Sequence, residues 1–194
     1  MGCDIHGVLQ TRYGQNDTWR TECEIERGRN YRLFAVLAGV RNGYGFAGVK
    51  THDPVGPIAE PRGLPGDFER DGDEHNWYFD ERKTWMGDHS FSWLTLAEMK
   101  DWPHWDRPLA ETGIVSLEVF KKWDGKSAPE SWCGGVGGPN VIVGTPDNLK
   151  NATYVEIGWE SRTMRDCCKT FLKWLDYVES AHGQNCRIVF GFDS

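Results

Sequence analysis

The sequence predicts an α+β domain: a mixed, largely antiparallel sheet opening on an N-terminal hairpin, with helices packed on one face and long ordered loops. Three observations carry this. Trp19, Thr21, Cys23 and Ile25 alternate strictly with Arg20, Glu22, Glu24 and Glu26, the period-2 mark of a strand with one face in the core and one in solvent. Between about Ser161 and Ala181, Met164, Cys168, Phe171, Leu172, Leu175 and Val178 instead recur at helical spacing. From Arg41 to Trp93 the chain is dense in Gly, Pro and Asp yet rich in aromatics, which points to ordered irregular structure rather than disorder.

Each element has its own signal. A first strand runs from about Cys3 to Arg12 with Ile5 and Leu9 on one face, and Gly14-Gln15-Asn16-Asp17 supplies the turn into the alternating return strand. Asn30 is placed to cap a helix carrying Tyr31, Phe34, Leu37 and Ala38, which Gly39 ends. In the loop region, Tyr44, Phe46, Phe68, Trp77, Tyr78, Phe79, Trp85 and Phe91 interleave with the turn residues. Thr95-Leu96-Ala97-Glu98 fits a capping box for a helix closed by Pro103, and Ser116 can cap another with Leu117 and Phe120. The run Cys133-Gly134-Gly135-Val136-Gly137-Gly138-Pro139 reads as a flexible flap or linker, with an anion nest as the rarer use of such glycines. Val155, Ile157 and Trp159 form a strand before the long helix. Gly183 closes that helix, and Ile188, Phe190 and Phe192 form the last strand. If these two strands are neighbours, the helical crossover makes them parallel; otherwise another strand lies between them.

At 194 residues the chain fits one domain spanning 1–194, large enough to bury a core without disulfides. A net charge of -7 argues against duplex DNA, RNA or an anionic membrane as the main partner, since each needs a basic face. A small anion held by local arginines remains compatible. No stretch approaches the ~20 apolar residues of a membrane span, and no signal-peptide pattern opens the chain. Met1-Gly2-Cys3 resembles an acylation start, but His6 stands where N-myristoylation wants Ser or Thr. A cytoplasmic location is expected. The six cysteines form no C-x-x-C pair, and adjacent Cys167 and Cys168 are awkward disulfide partners, so small reduced core residues are expected.

Asp4 and His6 lie two apart on a strand and so share a face, which suits joint coordination of one metal, a carboxylate orienting an imidazole, or plain strand-end hydrogen bonds. Asp88-His89, in a loop before a helix, offers a second such pair; if the two meet, Asp4, His6, Asp88 and His89 could hold a divalent metal. Asp4-Ile5-His6-Gly7 resembles the opening block of calcineurin-like metallophosphoesterases, but the second block is missing and Gly87-Asp88-His89-Ser90 departs from the third. Arg41 and Arg62 sit in Gly/Pro-rich loops that would let a guanidinium fork meet phosphate, or tie loop carbonyls together instead. Asn42 belongs to a turn dipeptide, and Glu60 is placed for an arginine or a ribose hydroxyl. His52, His75, His104 and His182 read as solvated loop or helix-end residues.

As a set, Met1-Gly2-Cys3-Asp4-Ile5-His6, Arg29-Asn30-Tyr31 through Arg41-Asn42-Gly43, Glu60-Pro61-Arg62-Gly63-Leu64-Pro65, Gly87-Asp88-His89 to Trp93-Leu94-Thr95, and the closing Arg187-Ile188-Val189-Phe190-Gly191-Phe192-Asp193 resemble a family of small proteins carried by bacteriophages and large DNA viruses. Residues 100 to 153 carry no part of the resemblance. It implies an infected host's cytoplasm and, by context, an anti-defence protein that sequesters a nucleotide-derived immune signal of the cyclic dinucleotide or cyclic ADP-ribose type. On that reading Arg41 and Arg62 clamp phosphates, Trp93 or Tyr44 stacks a base, and Asp4, Asn42, Glu60, Asp88, Ser92, His6 and His89 complete the ligand contacts, with no cofactor required. The alternatives are a phosphodiesterase using His6 and His89 as general base and acid, or with the metal above, and an inhibitor that binds a host protein. A homo-oligomer with a shared pocket is compatible with each.

Overall fold

The structure, a computed structural model, describes residues 2–25, 28–68 and 86–193. Met1, Glu26, His75, Trp77, Tyr78, Phe79 and Trp85, all named above, lie outside the described residues. The strands are β1 (Asp4–Thr11), β2 (Arg20–Glu24), β3 (His89–Thr95), β4 (Pro108–Ser116), β5 (Val143–Gly144), β6 (Tyr154–Thr163) and β7 (Cys186–Asp193). The α-helices are α1 (Tyr31–Ala38), α2 (Leu96–Lys100), α3 (Leu117–Lys122), α4 (Met164–Cys167) and α5 (Lys169–His182).

The fold is α+β with the N-terminal hairpin in place, and its strands form two sheets. One runs β2-β1-β7-β3 and is antiparallel throughout; the other runs β4-β6-β5, with β5 parallel to β6. The strands on either side of the long helix, β6 and β7, therefore belong to different sheets, not to the single sheet expected. Burial explains the separation. Seven of the eight residues of β7 are buried, as a central strand covered on both faces requires, whereas β6 alternates buried and exposed positions.

The hairpin departs from its expected two-sided pattern. All five residues of β2 are exposed, Cys23 among them, and only Ile25 beyond its end is buried. The strand is the sheet edge, and a register shift between Leu9 and Gln10 bends its pairing with β1.

Helix α1 joins the two halves. Asn30 accepts the Leu33 N–H, and Gly39 closes the helix in the left-handed region at φ 70°. Phe34, Leu37 and Ala38 pack with Ile5, Leu94, Leu175 and Phe192 against the four-stranded sheet. Ala35 and Val36, on the other side, join Trp102, Trp105, Leu109 and Met164 under the second sheet. Such all-round burial makes this helix the structural centre. Phe34→Ala is expected to cost about 3–5 kcal/mol, read as a lowered denaturation midpoint. A loss under 1 kcal/mol would contradict the packing, in which the Phe34 ring meets Phe192 at 5.1 Å edge-on.

The remaining caps follow the sequence. Thr95 and Glu98 form the capping box of α2, and the Ser116 hydroxyl accepts from Val119 N–H. The long C-terminal helix is shorter than its pattern suggested, because residues 161–163 continue β6. It then breaks at Cys168 into α4, capped by a Thr163–Asp166 box, and α5. No helix of the described residues is long and apolar enough to cross a membrane. All six thiols are free.

Candidate functional site

The main cleft, about 1270 Å³, lies where the start of α1 faces the second sheet. Its basic end is built by Arg29 and Arg32 at the entry to α1 and by Arg162, Asp166 and Cys167 at the junction of β6 and α4. The Asn30 amide donates to the Cys167 carbonyl at 2.9 Å and ties these two walls together. The floor is β4, which presents Glu111 and the neighbouring His52, held by an antiparallel bridge between the two residues. The aromatic end is built by Tyr44 and Phe46 on the turn 44–50 and by Trp132 with Gly134 and Gly135 opposite.

Local chemistry holds these groups in place. Arg32 pairs with Glu111, whose side chain is only 8% exposed, while the buried Arg32 Nε has no hydrogen-bond partner among the described residues. Arg29 grips Asp4 with both ends of its fork, Nε to Oδ1 at 2.6 Å and Nη2 to Oδ2 at 2.8 Å, which holds the Asp4 carboxyl below its usual range. Burial pushes the Cys167 thiol up, so it stays protonated. Trp132 packs edge-on against Trp159 at 5.2 Å between ring centroids. The expected Gly-rich flap is thus a cleft wall, joined to β4 by the Cys133–Ile114 bridge.

His52, read from sequence as a solvated loop residue, is buried in the floor. Its Nε2 accepts the Gly43 N–H at 3.3 Å, which requires the neutral ring, and Thr51 Oγ1 lies 3.4 Å from Nδ1. Burial first, and then the Arg32 charge, hold its pKa below the ordinary imidazole value. With a depressed folded pKa, the stability this group contributes is whole above the unfolded value of about 6.5 and is lost as pH falls through the folded value. The denaturant midpoint is therefore expected to fall on acidification below pH ~6.5, and less steeply in His52→Gln, which keeps an acceptor for Gly43. Equal slopes would show that His52 is not the group responsible.

Of the residues singled out by sequence, Tyr44 lines the cleft, and Asp4 and Arg41 touch residues that do. Arg41 lies 5.6 Å from the Tyr31 ring, which lines the cleft. Asn42 instead pins its own loop through Val55 N and O. Arg62 binds Glu98 at 2.5 Å and lies over the Trp93 ring at 4.9 Å, while its backbone N–H donates to the buried Ser92 hydroxyl. Glu60 and Asp88 are exposed. His6 Nε2 stands 3.1 Å from Asp193 Oδ2, and Asp193 also accepts from the Asp4 N–H. The His89 ring stacks on Phe192, its Nδ1 2.9 Å from Ser90 Oγ. Strand β7 separates β1 from β3, so Asp4 and His6 do not share a strand pair with Asp88 and His89. Among the described residues no three His, Cys, Asp or Glu side chains converge to hold a metal ion.

Sequence reasoning missed Arg29, Arg32, Glu111, Trp132 and Arg162. One signal was present. Arg29 and Arg32 flank the N-cap of α1, whose first turn has no acidic residue, and cations at a helix N-terminus oppose the macrodipole. Comparisons with protein families, with curated proteins and with solved structures found no match.

Proposed function

We propose that the protein binds and sequesters a nucleotide-derived anion in this cleft. The observation that carries the reading is the convergence of Arg29, Arg32 and Arg162 with the aromatic wall of Tyr44, Phe46 and Trp132 on one cavity, in a chain of net charge -7. The exposed Arg162 guanidinium suits phosphate, Arg29 and Arg32 add positive charge beside it while paired with Asp4 and Glu111, and exposed rings suit a base. At about 1270 Å³ the cleft exceeds the ~300–1,000 Å³ common for drug-sized ligands, which favours a dinucleotide-scale molecule. The resemblance of the chain's blocks to viral proteins supports an anti-defence role, in which that molecule is a cyclic dinucleotide or a cyclic ADP-ribose isomer.

Holding is favoured over cleaving because the carboxylates, the imidazole and the thiol of the cleft are already engaged. Glu111 pairs with Arg32, Asp166 serves the Thr163 capping box, His52 Nε2 accepts from Gly43, and Cys167 is held as a thiol. The test incubates the protein with cyclic dinucleotides and cyclic ADP-ribose isomers, recovers the bound fraction, heat-denatures it and analyses what is released. Intact ligand, depleted beforehand from solution, is the expected result. Linear product would transfer the reading to a phosphodiesterase, and no depletion of any compound would remove it.

A further inference from the structure

One strand of the cleft floor supports both of its ends. Glu111, which holds Arg32, and Gly113, which underlies Trp132, are two residues apart on β4 and therefore share a face. Two strand residues span about 7 Å. That is the spacing of the two strand positions, Glu111 and Gly113, that support Arg32 and Trp132. The Trp132 indole is also preset. A Cβ on Gly113 would stand 2.6 Å from Trp132 Cε3 and 3.0 Å from Trp159 Cη2, so only glycine there lets the two rings pack. Trp132 nevertheless keeps 41% of its surface exposed at the cleft wall. The phosphate end has matching features. Tyr31 and Arg32 are the first two residues of α1, so their N–H groups have no carbonyl behind them in the helix, and Arg32 and Arg162 both line the cleft beside them.

We infer that the cleft is divided into a phosphate seat at Arg32 and Arg162 and a base platform at Trp132, so that Trp132 reads the ring of one nucleotide unit and Gly113 keeps it in position. This rests on the nucleotide-binding reading above and adds which residue meets which part of the ligand. An indole held against a second indole loses little freedom when a base stacks on it, so its contribution adds to the phosphate contacts instead of substituting for them.

Titration calorimetry with ADP and with inorganic pyrophosphate tests the division. In Trp132→Leu, ADP binding is expected to weaken roughly five- to a hundredfold, while pyrophosphate binding stays within about twofold. Trp132→Phe should recover most of the ADP affinity, which a variant with a merely damaged fold would not do. Arg162→Gln, an exposed position, should weaken both probes. The division is overturned if Trp132→Leu affects both probes equally or leaves ADP binding unchanged. It is also overturned if neither probe binds the intact protein while a cyclic dinucleotide is retained, an outcome that leaves sequestration standing. If no probe and no cyclic nucleotide binds, both readings fall.

Discussion

Gly87→Ala is expected to be one of the most damaging single methyl additions among the described residues. Gly87 sits at φ 85°, a backbone region that costs an L-residue on the order of 1–3 kcal/mol. Its absent Cβ would also fall on the backbone carbonyl of Phe192, which cannot rotate aside as a flexible side chain could. The same carbonyl accepts the Asp88 N–H at 2.7 Å, so retreat would break the bond that anchors the entry to β3. Phe192 itself is fully buried between Phe34 and Phe190. Strain and clash together should cost about 4 kcal/mol or more, a large part of the ~5–15 kcal/mol that holds a domain folded. Equilibrium denaturation gives the number; a loss below 1 kcal/mol would show that β3 and β7 are not packed as described. Gly87 directly precedes the Asp88-His89 pair that the sequence places in a loop as a candidate metal or ligand contact. In the fold this glycine instead permits the close approach of two strands.

Arg32→Ala carries the second large effect, and it separates stability from binding. Removing the guanidinium leaves Glu111 almost wholly buried without its partner, which costs about 3–5 kcal/mol. Replacing both members, Arg32→Met with Glu111→Leu, removes the stranded charge and should restore stability to near the parent value or above it. Thermal melts of the two singles and the double close the cycle. The refolded double mutant should still bind the nucleotide panel poorly, since the phosphate seat has lost Arg32. A double mutant as unstable as the single would show that the pair serves packing and not charge balance. One that binds ligand normally would place the phosphate elsewhere.

Much of the fold was legible because local chemistry wrote it into short windows. Asn30, Thr95, Ser116, Gly39 and Gly183 end or begin helices where their side chains or backbone freedom place them, and Ile188, Phe190 and Phe192 mark the central strand. The site was less legible. Asp4, a candidate ligand contact in the sequence, is the carboxylate that holds Arg29 at the cleft rim. Arg62, in a loop as permissive as any phosphate clamp, meets Glu98 and Trp93. Glu111 and His52 lie far apart in the chain, and nothing local to either says that a bridge between the two segments joins them.

What the sequence determined by itself was therefore the α+β class, the N-terminal hairpin, the caps and most of the apolar stripes, all of which depend on contacts within a few residues. The tertiary structure alone decided three things. It split the strands into two sheets, buried α1 between them, and drew Arg29, Arg32, Glu111, Trp132 and Arg162 from four separate segments around one cleft. The physical reason is common to all three. Periodicity says which face of an element is apolar, but not which other apolar face will cover it. Once α1 had been enclosed from both sides, its N-terminal arginines could only emerge where the second sheet left room for them.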